Sequence, residues 1–97
     1  MRKYVSQNDK DSLYKALRIA IKDRALFDEF IIDLFTPTEY KEVHTRLQII
    51  ELLEKGMKHR DIAVKLGIGV ATVNRGSLEL KDPKGGFKQI LKRMSKS

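Results

Sequence analysis

The chain has 97 residues, with 20 Lys and Arg against 13 Asp and Glu, a net charge of +7 and no cysteine. One small domain is expected at this length, and disulfides, thiolate metal sites and cysteine nucleophiles are excluded. No apolar run approaches the roughly 18 residues of a membrane span, and the opening MRKYVSQNDKD lacks the apolar centre of a secretory signal, so a cytoplasmic protein with no membrane partner is expected.

Apolar residues recur at helical spacing almost throughout. Leu13, Ala16, Leu17 and Ala20 form one stripe, with Ile21 beside it. Leu26, Phe27, Phe30, Ile31 and Leu34 form a second, broadened by Ile32 and Phe35. A helix so apolar is expected to be buried on more than one side. The stretch TPTE, residues 36–39, reads as a capping box: Thr36 as N-cap, Pro37 at the first helical position and Glu39 three residues after the cap. A long helix follows through Val43, Leu47 and Ile50, and Gly56 is its expected stop. A short helix from about His59 carries Ile62, Ala63 and Leu66 and ends at Gly67. Another starts near Val70 and carries Val73 and Leu80. DPKGG, residues 82–86, breaks the chain before a last stripe of Phe87, Ile90, Leu91 and Met94. The pattern predicts an all-α single domain of about six helices.

Charge is unevenly spread. Residues 1–54 hold nine Lys and Arg against ten Asp and Glu, a net of −1, whereas residues 55–97 hold eleven against three, a net of +8. Such a field draws polyanions, nucleic acid first and anionic membrane second. The basic half also contains GIGVATVNRGS, residues 67–77. Ala63, Gly67 and Val73 are spaced as in a helix-turn-helix. A small residue in the first helix admits the second, glycine permits positive φ in the turn, and a β-branched residue anchors the second helix from behind. The outward face then presents Ala71, Thr72, Asn74 and Arg75, which suit a major groove. The alternative is an ordinary helical hairpin inside a core. Gly76 within the second helix costs about 1 kcal/mol against alanine, so it needs a reason. An enzyme is not expected. His44 and His59, the two histidines, lie fifteen residues apart without a metal-ligand pattern. GIGVAT lacks phosphate-loop spacing, and no nucleophile–base pair stands out, so neither catalytic nor metal residues are assigned.

LFTPTEYKEVHTRLQII and RDIAVKLGIGVATVNRGS together resemble the Trp repressor family, over roughly residues 30–81. The G-x-G-x-A-T-x-x-R-G-S run carries most of the resemblance, supported by the T-P-x-E cap and the Thr45–Arg46 pair. The resemblance implies an intertwined homodimer that represses transcription by binding a double-stranded DNA operator. L-tryptophan is the implied corepressor, no cofactor is needed, and tryptophan-related genes are the implied targets. On that pattern residues 1–57 form a helical dimerisation core, 58–81 the DNA-reading head and 82–97 a C-terminal helix. Ligand-binding positions fall on Arg46, Arg75, Gly76 and Thr36, with Glu79 near the ligand and the helix end at Phe35 offering carbonyls to the ammonium. Two guanidinium planes can sandwich an indole, Arg75 can reach a carboxylate, and Gly76 lets backbone lie against a flat ring. DNA-binding positions fall on Arg60, Val70, Ala71 and Asn74 for bases and on Thr72, Ser77 and Lys81 for phosphates.

The chain departs from the family pattern in three ways. The loop after Gly56 is one residue short, with Met57, Lys58 and His59 replacing a more polar lead-in to the reading head. Leu78 and Glu79 stand where the family usually has Asn and a small residue, so Glu79 either crowds the indole or pairs with Arg46. Asn74 replaces a hydroxyl residue, and an amide can read adenine, which implies a different operator. The remaining readings are a same-fold regulator with another effector or none, a transposase-type helix-turn-helix module, and a basic adaptor for an acidic protein.

Overall fold

Local hydrogen bonds decide where the helices begin and end. In the computed structural model, which describes residues 4–96, the order is α1 (Gln7–Ala20), α2 (Arg24–Leu34), α3 (Pro37–Glu54), α4 (His59–Leu66), α5 (Val70–Glu79) and α6 (Gly86–Met94). No strand occurs among the described residues. Ser6 caps α1 by accepting from the Asp9 N–H at 3.2 Å, and Asp23 caps α2 by accepting from the Leu26 N–H at 3.2 Å. At α3 the expected capping box is complete. Thr36 Oγ1 accepts from the Glu39 N–H at 3.2 Å, and Glu39 Oε1 accepts from the Thr36 N–H at 3.0 Å.

Two helices stop on left-handed glycines. Gly56 has φ +90° and Gly67 has φ +67°. At each, the following residue reaches back five positions, Met57 N–H to the Leu52 carbonyl at 3.1 Å and Ile68 N–H to the Ala63 carbonyl at 3.0 Å. This is the Schellman closure, which satisfies carbonyls that a helix end otherwise orphans. Leu80, expected within α5, is its C-cap.

The chain forms two compact units, one ending at Tyr40 and one beginning at Lys41. In the first, α1 packs on α2. Contrary to the expectation from its composition, α2 buries no residue. Leu26, Ile32 and Leu34 are 47, 56 and 44% exposed. One amphipathic partner cannot cover a helix that is apolar around most of its circumference. In the second unit the core joins Ile49 of α3, Ile62 and Ala63 of α4 and Val73 of α5, with Leu52, Leu53, Met57, Leu66 and Ile68 packed against it. Ile62 and Val73 are fully enclosed, which stabilises by about 1.5–3 kcal/mol each. Lys88 of α6 donates to Glu54 of α3 at 2.9 Å.

Candidate ligand groove and nucleic-acid interface

The α4–turn–α5 segment has helix-turn-helix geometry: α4 and α5 pack on each other, and Ala63 and Val73 meet in the core. The turn residues Gly67, Ile68 and Gly69 link them without extra length. Val73 faces inward, and the stripe Val70, Asn74, Ser77 and Lys81, at helical spacing, flanks it on the side away from Thr72, Arg75 and Glu79. Val70, Ala71, Asn74 and Lys81 are exposed, as is Arg60 in the first turn of α4. An open depression of about 470 Å³ next to this stripe is lined by Lys58, His59, Arg60, Asp61 and Val70. Three of these five side chains are basic or imidazole, which suits a phosphate backbone. Ser77 spends its proton internally, since its Oγ donates to the Asn74 carbonyl at 2.7 Å. Its hydroxyl oxygen is left as an acceptor.

Gly76 sits where α5 crosses α3. A Cβ at this position would lie 2.8 Å from Ile49 Cγ2, well inside the roughly 3.5–4.0 Å of a favourable carbon contact. The glycine therefore lets two helices approach more closely than any side chain permits. Beside this contact runs a groove of about 540 Å³. Lys41, Glu42, Thr45, Arg46 and Ile49 form one wall from a single face of α3. Thr72, Arg75, Gly76 and Glu79 form the other from a single face of α5, and Ile68 closes the turn end. Ile49, Ile68 and the Gly76 backbone make the apolar part, and guanidinium, ammonium, carboxylate and hydroxyl groups make the rim. Arg75 Nη2 lies 3.5 Å from Thr72 Oγ1, too long for a strong hydrogen bond. The ion pairs Arg24–Asp28 and Lys88–Glu54 involve neither groove arginine. Both groove guanidiniums thus remain unpaired with Glu42 or Glu79.

Of the six residues expected at the ligand, the structure brings Arg46, Arg75, Gly76 and Glu79 together in this groove. Phe35 and Thr36 lie at the α2–α3 junction in the first unit. There Phe35 closes α2 through its N–H to the Ile31 carbonyl at 3.3 Å, and Thr36 caps α3. Thr72, expected at phosphate, is half-buried and lines the groove. Lys41, Glu42 and Thr45 enter the groove without having been singled out as ligand positions. The spacing carried a signal for Glu42 alone, which precedes Arg46 by four residues and shares its helix face. His59 was also not singled out. Its Nδ1 lies 2.7 Å from Asn74 Oδ1 across the two helices, a pairing fifteen residues apart that no local pattern announces.

The family model described as Trp repressor protein matches residues 8–95. The chain belongs to the Trp repressor family. Among curated relatives, the Trp operon repressor homolog of Actinobacillus succinogenes is 38% identical over 85 residues, covering 82% of this chain and 83% of that protein. The homolog of Haemophilus influenzae strain PittEE is 34% identical over 92 residues, covering 92% and 90%. That of Vibrio campbellii is 33% identical over 85 residues, covering 87% and 84%. No solved structure matches this chain. Trp repressor proteins are DNA-binding regulators rather than enzymes. No helix among the described residues is long and apolar enough to cross a membrane.

Proposed function

We propose that this protein is a sequence-specific transcriptional repressor that binds operator DNA as a homodimer when L-tryptophan occupies the α3–α5 groove, and that it controls tryptophan-related genes. The observation that carries this reading is the pairing of Arg46 and Arg75 across a groove based on Ile49, Ile68 and Gly76, on the inner face of the helix whose outer stripe is suited to a major groove. A flat ring between two guanidiniums gains stacking and cation–π attraction, about 0.5–2 kcal/mol for each, and Arg75 can also hold the carboxylate. Thr36 and the carbonyls at Phe35 are the remaining ligand candidates. Arg60, Val70, Ala71 and Asn74 serve bases, while Ser77 and Lys81 serve phosphate. The dimer is supported by the apolar surface that a lone chain leaves open on α1 and α2, including Tyr14 and Ile19 at 51 and 55% exposure.

A ligand acts here only if it binds the DNA-competent pose better than others. Bracing α5 against α3 is such a difference. Titration calorimetry with L-tryptophan, with other amino acids as controls, tests the reading. Saturable binding of one tryptophan per chain is expected, weakened roughly tenfold to a hundredfold by Arg75→Ala. The absence of heat at millimolar tryptophan, with operator binding retained, would move the protein to the second reading: the same DNA-binding role under another effector. Glu79 in the groove is the observation that favours that alternative.

A further inference from the structure

We propose that His59 is a positioning residue that decides which base edge Asn74 reads. The inference rests on the DNA-reading role proposed for α5 and goes beyond it by naming the base. His59 is the first residue of α4 and is half-buried, while Asn74 lies in mid-α5 and is exposed. The two meet at 2.7 Å, His59 Nδ1 to Asn74 Oδ1. A carbonyl oxygen can only accept, so Nδ1 carries the proton and donates. The amide group is planar. With Oδ1 held to the imidazole, the Nδ2 amino group is turned away from the His59 ring, and Asn74 itself is exposed.

Asn74 is thereby presented as a donor. Bidentate pairing with adenine needs the amide oxygen to accept from N6 while the nitrogen donates to N7. The clasp directs that oxygen elsewhere. Guanine offers two acceptors, O6 and N7, side by side in the major groove, and an amino group with two protons suits them. The His59–Asn74 pair therefore selects guanine at one position of each half-site, where an unrestrained asparagine would favour adenine.

The test is selection from a random duplex DNA library by the full-length protein, with and without saturating L-tryptophan. Wild type is expected to select guanine at one position. Asn74→Ala should erase the preference there and leave the other positions alone. His59→Ala should lower the guanine-to-adenine ratio at that position by about tenfold, the worth of one net hydrogen bond, with the melting temperature and salt dependence unchanged. His59→Gln, whose amide nitrogen can donate to Asn74, should retain guanine. An unchanged ratio in His59→Ala would overturn the proposal. So would a parallel loss at every position together with a lower melting temperature, because that pattern marks a merely structural histidine. If wild type selects no sequence under either condition, the DNA-reading role itself has failed. The clasp is then decided separately by 15N NMR of the free protein, where an Nδ1-protonated His59 is expected and an Nε2-protonated neutral ring would refute it.

Discussion

Replacing Gly76 by alanine sets two known effects against each other. Alanine regains about 1 kcal/mol of helix propensity. It also places a methyl 2.8 Å from Ile49 Cγ2. Ile49 is 2% exposed, and its β-branch leaves χ1 little freedom in a helix, so the methyl cannot swing aside. Forcing a methylene-sized group into a filled contact costs about 1–3 kcal/mol. The balance is a destabilisation of about 0–2 kcal/mol. The decisive measurement is the same substitution in an Ile49→Leu background. Leucine moves the branch from Cβ to Cγ, removing the clashing methyl at nearly constant volume for less than about 1.5 kcal/mol. There Gly76→Ala should become stabilising by up to about 1 kcal/mol. Urea unfolding of the four proteins at one fixed concentration gives the coupling, expected at about 1–3 kcal/mol against the 0.3–0.5 kcal/mol scatter of independent sites. Stabilisation by the full propensity gain in the wild-type background would refute the close-packing account of Gly76. An effect of equal size in both backgrounds would refute it as well.

Thr36→Ala removes the hydroxyl that accepts from the Glu39 N–H and leaves the backbone N–H at position 36 bonded to Glu39 Oε1, and should cost about 1 kcal/mol in urea unfolding. Gly67→Ala meets nothing within 4 Å, so its cost is the left-handed backbone alone. Thermal unfolding should report a loss of about 1–2 kcal/mol, and Gly67→Asn should lose less, because asparagine tolerates that region. The Lys88–Glu54 pair has side chains 30 and 38% exposed. A double-mutant cycle on it should give about 0.5 kcal/mol, shrinking as salt is raised.

What was legible in the sequence was mostly local. The Thr36–Glu39 box, the glycine stops at Gly56 and Gly67 and the Ala63–Gly67–Val73 spacing each depend on residues within a turn or two of one another, and the structure forms all of them. The breadth of the α2 stripe was equally visible, yet apolar periodicity states only that a face seeks cover, not that the same chain provides it. Gly76 could be recognised as costly and, through the resemblance, given a ligand-facing role, but its contact with Ile49 was not legible, because that residue lies twenty-seven positions earlier on another helix. Helical spacing alone would have added Glu42 to Arg46. The His59–Asn74 contact had no such route, since it exists only once α4 and α5 are packed.

The two functions proposed for α5 divide its ten residues between opposite sides. Thr72, Arg75, Gly76 and Glu79 line the groove, while Val70, Asn74 and Ser77 form the other stripe. A rigid helix transmits a shift on one side directly to the other, so an effector need not touch DNA to change how DNA is met. The rim of the groove also constrains what that effector can be. It carries Lys41, Arg46 and Arg75 against Glu42 and Glu79, with neither arginine committed to a carboxylate. Exposed pairs of this kind gain only about 0–1 kcal/mol from closing on themselves, so they stay open to a ligand that does better. A simple anion would meet two carboxylates, and a simple cation three positive groups. A zwitterion carrying a flat apolar body answers both signs and fills the Ile49–Gly76 base, which is the chemical description of an aromatic amino acid.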